Sequence, residues 1–264
     1  MSQLYFTETG HGIPLVLIHA FPLSGKIWEV NAKAISGKGF RVIMPDLPGF
    51  GNSASSEEVL SLESAAEQVN HLLTSLGIEK AFIGGLSMGG YVTFNFLRLY
   101  PERFLGAIFC DTTSSGEPAE NIPNRYSLID KLGKIGSQAL VDVMLPNLIS
   151  DQTKENNPEL VNDLEEYFLR CDPTSAAAAL RGFVERKDHD HMLSEINVPT
   201  LLIYGEYDKF TTVETAERIK NEIPNSTLSV IKGAGHFSNL EKPEEFNSAL
   251  IEFLTREQNA QKVN

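Results

Sequence analysis

Short runs of β-branched and aromatic residues alternate with helical patterns over most of the chain, and this alternation restricts the fold more than any other feature. Between the second and third runs, apolar residues from Leu62 to Leu76 recur at helical spacing, and Gly77 suits the end of that helix. Strands joined by helices form a parallel sheet, so the sequence predicts an α/β fold with a mostly parallel central sheet and helices on both faces. The runs predicted as strands are 15–18, 40–44, 80–83, 105–109, 200–204 and 227–231.

Residues 114–196 interrupt this alternation, because they carry Leu, Ala and charged residues at helical spacing and no β-branched runs. An all-helical insertion between two parts of one sheet lies over the carboxyl ends of the strands, where such sheets bind ligands. We therefore expect a helical cap over 114–196 and an α/β core formed by 1–113 and 197–264. The polar residues 256–264 are expected to form a loose tail.

The composition argues against several classes of partner. The chain of 264 residues has 22 basic and 35 acidic side chains and a net charge of −13, so we expect no surface that attracts nucleic acid or anionic lipid. No apolar run approaches the ~20 residues of a membrane span, and the amino terminus lacks a secretory signal, so a cytoplasmic protein is expected. Cys110 and Cys171 provide neither a disulfide framework nor a zinc site.

The segment Gly85-Leu-Ser87-Met-Gly89 carries the strongest chemical signal. It follows a predicted strand and opens a predicted helix, which is the pattern of a nucleophile elbow. Small residues on both sides of Ser87 let the backbone turn sharply and leave the hydroxyl exposed above the sheet. The positive end of the helix favours a negative oxygen nearby, so we expect the Met88 N–H to donate to an oxyanion.

A serine nucleophile needs a base, and the base needs an acid that orients it. His236 lies in a Gly-rich loop after the strand 227–231, while Asp208 and Asp111 follow other strands. The order Ser87, Asp208, His236 is the one expected for this elbow, so we predict that these residues form a catalytic triad. Asp111 is the alternative acid.

A second oxyanion donor is expected in the loop after the first predicted strand, and the Phe21 N–H is the candidate. His19 comes before this loop and is interpreted as a structural hydrogen-bonding residue rather than a second base.

These segments together resemble the α/β-hydrolase superfamily over the whole chain. The motifs that carry the resemblance are His19 to Pro22, Asp46 to Ser53, Gly85 to Gly90, Tyr204 to Asp208 and Gly235 to Phe237. Phe21 to Leu23, Cys110 to Thr112 and Ala179 to Phe183 are similar to the 3-oxoadipate enol-lactonase and arylesterase branch. Two departures are Ala20 in place of the usual glycine, and Thr211-Thr212 where Thr-Pro is common. The resemblance implies the same triad and the same two oxyanion donors.

Two further patterns suggest cofactors, and we interpret neither as a binding site. The segment Gly49 to Ala54 matches a dinucleotide fingerprint, but no helix begins directly after it to hold a pyrophosphate. The run Asp188 to His191 lacks a further set of ligands for a catalytic zinc. We therefore expect neither a cofactor nor a metal.

The predicted function is hydrolysis of a small carboxylic ester or lactone through an acyl-enzyme on Ser87. The alternative is a non-hydrolytic use of the same fold, as a C–C or cyanohydrin lyase, a perhydrolase or a small-molecule receptor. Apolar residues of the predicted cap favour a closed pocket for small acyl groups. Arg125 and Arg181 are the candidates there for binding a single carboxylate of an enol-lactone.

Overall fold

One seven-stranded sheet lies at the centre of the molecule, for which a computed structural model describes residues 4–55 and 57–263. The strands are β1 (Phe6–Gly10), β2 (Ile13–Ile18), β3 (Phe40–Pro45), β4 (Ala81–Leu86), β5 (Phe104–Cys110), β6 (Thr200–Gly205) and β7 (Ser226–Ile231). Their order in the sheet is β1-β3-β2-β4-β5-β6-β7, and β1 runs antiparallel to β3 while the other neighbours are parallel. The predicted mostly parallel α/β sheet is confirmed.

Burial explains which strands could be predicted. Every residue of β4 and β6 is buried, as expected for central parallel strands that are covered on both faces and are apolar throughout. The six predicted runs correspond to β2 through β7. The missing strand, β1, lies at the edge of the sheet and has exposed residues such as Glu8, so its sequence lacks an apolar run.

Five helices flank the sheet along the chain, and their ends follow local rules. The helix predicted between β3 and β4 begins after Ser61, whose side chain accepts a hydrogen bond from the Ser64 N–H at 3.2 Å, and the chain leaves it through Gly77 at φ +68°. The first and last of the five helices contact each other, as do the second and third. The five helices are α1 (Glu29–Ser36), α2 (Leu62–Ser75), α3 (Met88–Leu99), α10 (Val213–Glu222) and α12 (Pro243–Val263). The short helix α11 (Ser238–Glu241) precedes α12.

Six α-helices lie between β5 and β6, and residues 111–199, all of which are described, contain no strand. We call α4 to α9 the inserted helices. The Leu60 N–H donates to the Ala178 carbonyl at 3.0 Å, so the last inserted helix is bonded to the loop before α2. The boundaries of a cap at 114 and 196 stay a prediction. The inserted helices are α4 (Ile122–Ile135), α5 (Gln138–Val143), α6 (Leu145–Leu148), α7 (Asp151–Asn156), α8 (Pro158–Arg170) and α9 (Pro173–Val184).

The expectation of a loose tail over 256–264 is wrong for its described part, because α12 continues to Val263. Glu, Gln, Ala, Lys and Arg are good helix formers, so a polar composition does not by itself end a helix. Within the described residues, no helix is long and apolar enough to cross a membrane. The expectation about a secretory signal rests partly on residues 1–3, which lie outside the described residues.

Candidate active site

Ser87 occupies the turn between β4 and α3. Its backbone conformation is one that residues other than glycine rarely adopt. Its φ of +54° lies in the left-handed region, and Asp111 is the other described non-glycine residue with positive φ. The two glycines of the elbow are required sterically. A Cβ at Gly85 would lie 2.3 Å from the Gly89 carbonyl carbon, and a Cβ at Gly89 would lie 2.2 Å from the Ile18 carbonyl oxygen. The turn is therefore compatible with glycine alone at both positions.

The two predicted oxyanion donors are backbone amides at element ends. The Met88 N–H belongs to the first residue of α3, and the Phe21 N–H follows the end of β2. Neither N–H has an acceptor within the part of the chain that the structure describes, so both are available to a ligand. This availability is what an oxyanion hole requires, and the role itself stays a prediction.

His236 and Asp208 form a buried pair. The Nδ1 of His236 lies 2.7 Å from Oδ2 of Asp208, which also accepts a hydrogen bond from the Thr211 hydroxyl. The other oxygen of Asp208 accepts from the N–H groups of Phe210 at 2.8 Å and Thr211 at 3.1 Å. Burial disfavours the charged carboxylate, but His236 and these donors outweigh burial, so the pKa of Asp208 is lowered. An ionised Asp208 holds the Nδ1–H of His236 and leaves Nε2 free to accept a proton.

Asp111 has different partners. One of its oxygens accepts from the Gly205 N–H at 2.7 Å, and the other is bonded to the Ser238 hydroxyl. Complete burial and, next, the negative charge of Asp208 raise the pKa of Asp111 well above its usual range. Asp111 therefore lies beside the pair in surroundings that favour its neutral form, and His236 is bonded to Asp208 instead.

Ser87 and His236 both lie on the wall of one cavity of about 270 Å³. Within the described residues, the Ser87 hydroxyl has no hydrogen-bond partner. Its half-buried position leaves it accessible to a molecule in the cavity. The apolar part of the wall includes Phe21, Tyr91, Met144, Leu148 and Phe183.

The structure also locates the residues that the sequence analysis set aside. His19 is buried, with Nε2 2.9 Å from the Leu47 nitrogen and Nδ1 2.9 Å from the Ala20 oxygen. Burial lowers its pKa to about 4, so it is neutral at pH 7 and joins two loop segments. Asp190 is bonded to Arg218 at 3.0 Å, and the described residues contain no group of three possible metal ligands.

The segment Gly49 to Ala54 is also part of a loop held by hydrogen bonds. The buried carboxylate of Asp46 accepts from the N–H groups of Gly25 and Asn52, each at 2.8 Å. Within the described residues, no helix begins between Ala54 and Leu62, where α2 starts.

Sequence reasoning missed three buried ionic residues around this site. Glu117 and Arg186 lie on the cavity wall, and Glu241 is bonded to the peptide groups next to His236. Glu117 pairs with Arg186, and Glu241 accepts from Ser150 and Thr153, across long stretches of chain, so no local pattern indicates these contacts. The one available signal is that a buried glutamate requires hydrogen-bond partners.

Comparison with known proteins identifies the family of this fold. The family model for the alpha/beta hydrolase fold matches residues 13–243. The chain belongs to this family. The match confirms the resemblance seen in the sequence, and the chain is accordingly a hydrolase of the α/β fold.

Three relatives show the range of activities in this part of the family. This chain is 30% identical to the 2-hydroxy-6-oxononadienedioate/2-hydroxy-6-oxononatrienedioate hydrolase of Burkholderia vietnamiensis, over 96% of this chain and 91% of that protein. It superposes on the malate-bound thermophilic esterase of Thermogutta terrifontis with a TM-score of 0.93 at 36% identity, covering 96% and 93% of the two chains. The superposition on the enol-lactonase of Burkholderia xenovorans LB400 has a TM-score of 0.88 at 25% identity and covers 96% of each chain.

Proposed function

We propose that the chain is a serine hydrolase that cleaves a small carboxylic ester or lactone through an acyl-enzyme on Ser87. The observation that carries the proposal is the shared cavity. It brings a serine in a strained elbow together with a histidine whose Nδ1 is fixed at 2.7 Å from Asp208. The names of the structural relatives, an esterase and an enol-lactonase, support the same class of substrate.

The proposed reaction has two halves. In the first, the Ser87 oxygen attacks the carbonyl carbon while Nε2 of His236 takes the hydroxyl proton, and the N–H groups of Phe21 and Met88 stabilise the oxyanion. The tetrahedral intermediate then expels the alcohol, which receives the proton from His236. In the second half, water attacks the acyl-enzyme with His236 again as the base, and Ser87 is regenerated as the acid leaves.

The test is covalent labelling combined with turnover. A fluorophosphonate is expected to label Ser87 of the wild type, with the adduct mapped by peptide mass spectrometry, and p-nitrophenyl acetate is expected to be hydrolysed. Ser87→Ala should abolish labelling and lower kcat by several orders of magnitude. Ser115→Ala is the matched control, because Ser115 lies on the same cavity wall but outside the elbow. Labelling that persists in Ser87→Ala, or no turnover of any ester, contradicts the proposal.

A further inference from the structure

A second cavity adjoins the one that holds Ser87. Its volume is about 380 Å³, and its wall is formed mainly by polar residues at the start of α2 and at the end of α9. It opens to solvent, since the side chains of Glu63 and Lys187 on its wall are 35% and 67% exposed. Among the described residues, Arg186 alone belongs to the walls of both cavities. Arg186 therefore separates the active site from a second opening to solvent.

Arg186 is held in place from the side of the active site. Its Nε donates to the Ser115 carbonyl at 3.0 Å, and its Nη2 donates to the Gly116 carbonyl at 3.1 Å. Nη2 also lies 3.2 Å from Oε2 of Glu117, and all three partners belong to the wall of the Ser87 cavity. Nη1 is buried and has no hydrogen-bond partner within the described residues. The guanidinium is thus fastened by one edge only, the edge on the side of the active site.

An apolar surface connects Arg186 to the nucleophile. The guanidinium carbon lies 4.1 Å from the centre of the Tyr91 ring, and the Tyr91 N–H donates to the Ser87 carbonyl at 3.1 Å, one helical turn along α3. The Phe183 ring packs edge-on against the rings of Tyr91 and Phe21, with centre distances of 5.8 and 5.4 Å. Aromatic side chains therefore line the cavity from the proposed oxyanion donor to Arg186.

The geometry of the tetrahedral intermediate directs the acyl chain along this surface. Its central carbon carries the Ser87 oxygen, the oxyanion, the leaving group and the acyl chain. The leaving group must reach Nε2 of His236, so it lies on the side of Phe210, whose ring centre is 5.8 Å from that of the imidazole. The acyl chain takes the remaining direction, past Tyr91 and toward Arg186.

We propose that Arg186 ends the acyl pocket and thereby sets the longest acyl chain that the enzyme accepts. This inference rests on the proposed function and assigns a residue that determines its substrate range. A methylene gains free energy as long as it leaves water for an apolar wall. At Arg186 the chain meets a guanidinium that it cannot displace without separating it from Glu117 and from two carbonyl groups in a buried site.

The experiment measures kcat/KM for p-nitrophenyl acetate, butyrate, hexanoate, octanoate and decanoate, in which the leaving group is constant. In the wild type, kcat/KM should rise and then fall. Arg186→Ala removes every side-chain atom beyond Cβ and joins the two cavities, so the optimum should move by about two carbons or more. Each further buried methylene contributes about fourfold. The kcat/KM of the ester two carbons beyond the wild-type optimum, divided by that at the optimum, should therefore increase roughly tenfold.

Two further variants separate the space at this position from its charge. Arg186→Met fills much of the same space but makes none of the polar contacts, so it should keep the wild-type optimum. Both Arg186 variants lose the same hydrogen bonds and leave Glu117 paired with Arg125 at 3.0 Å, so urea denaturation should show similar losses of stability. Lys187→Ala is the control for the second cavity, because Lys187 lies on that wall alone, and it should also keep the wild-type optimum.

A covalent adduct tests the same point without changing Arg186. With methyl p-nitrophenyl hexylphosphonate, the Ser87 oxygen should bond to phosphorus and displace p-nitrophenol, which receives the hydroxyl proton through His236. A crystal structure of this wild-type adduct should show the hexyl chain along Tyr91, with its end at Arg186. A hexyl chain that lies along Phe210 instead contradicts the proposal, whether or not Arg186→Ala folds.

The outcomes separate this inference from the function on which it rests. The role of Arg186 is overturned, and the serine hydrolase left intact, if Ser87-dependent kcat/KM rises through decanoate in the wild type. The same conclusion follows if Arg186→Ala and Arg186→Met share one optimum. Absence of turnover for every ester, together with no phosphonylation of Ser87, overturns both proposals.

Discussion

The buried carboxylate of Glu241 accepts a hydrogen bond of 2.7 Å from the hydroxyl of Thr153, which joins α11 to the inserted helix α7. The same oxygen accepts from the Ser150 N–H at 3.0 Å. The other oxygen accepts from the N–H groups of Gly235 and Phe237, at 3.0 and 3.3 Å, on either side of His236. One side chain thus fixes the histidine loop and the adjoining inserted segment together.

Replacing this carboxylate by an amide should affect both stability and activity. In Glu241→Gln, the NH₂ group cannot accept, so two donors lose their partner in a buried site at about 1–3 kcal/mol each. We expect the free energy of unfolding to fall by about 2–6 kcal/mol and kcat to fall about tenfold or more as His236 shifts. Urea denaturation and ester hydrolysis measure the two effects. Glu244→Gln, at an exposed position of α12, is the control, and equal behaviour of both variants would disprove the role of Glu241.

The two acids near His236 should respond differently to the same substitution. Asp208→Asn removes the carboxylate that lies 2.7 Å from Nδ1 and should lower kcat by roughly 10⁴, because the amide favours the wrong histidine tautomer. Asp111→Asn should keep most of the activity, since an amide can accept from the Gly205 N–H and donate to the Ser238 hydroxyl. Steady-state kinetics on p-nitrophenyl acetate compare them. The reverse ranking would assign the orienting role to Asp111.

The raised pKa of Asp111 also predicts how the free energy of unfolding depends on pH. Burial and the charge of Asp208 raise its pKa in the folded state, so the folded chain binds a proton that the unfolded chain releases above pH ~3.9. The contribution of this proton to the free energy of unfolding is fully present below that pH. It decreases by about 1.4 kcal/mol per pH unit as the pH rises toward the pKa of Asp111 in the folded state. Asp111→Asn should show a flatter dependence of unfolding free energy between about pH 5 and 7 than the wild type. Parallel curves from urea titrations would show that Asp111 is ionised in the fold.

The sequence could predict the parts of the site that local patterns encode. The glycines around Ser87 and the strand ends before Asp208 and His236 determine where these residues lie, and the structure places each at the carboxyl end of a strand. Their catalytic roles stay predictions. The positions of the other six strands along the chain follow from their apolar runs, whereas the edge strand β1 has a polar composition and carries no such run.

The ionic contacts could not be predicted, because they depend on how the inserted helices pack on the core. Glu117 precedes α4 and Arg186 follows α9, and their pairing requires the ends of this block to meet over Tyr91. Glu241 follows His236 by one helical turn, but its partners Ser150 and Thr153 belong to the inserted segment. Such contacts join distant segments and have no local periodicity.

A pair of glycines tests how closely the inserted helices contact the core. A Cβ at Gly182 in α9 would lie 2.0 Å from the Leu60 carbonyl oxygen, whereas a Cβ at Gly133 in α4 would meet no atom within 4 Å. Gly182→Ala should lower the free energy of unfolding by about 1–3 kcal/mol through overpacking. Gly133→Ala should raise it by about 0.5–1 kcal/mol, because alanine favours the helix. Thermal unfolding measures both, and equal shifts would contradict the close contact.

The size of the cavity predicts an optimum in acyl-chain length. About 270 Å³ enclosed by Phe21, Tyr91, Met144, Leu148 and Phe183 gives a short apolar chain a surface to bury against. Each buried methylene contributes ~0.8 kcal/mol, or about fourfold in kcat/KM, until the space is filled. Longer chains must then displace the side chains of the wall, which costs free energy. Among p-nitrophenyl acetate, butyrate, octanoate and palmitate, kcat/KM should therefore rise and then fall. A steady increase through palmitate would mean that the inserted helices leave the site open to long chains.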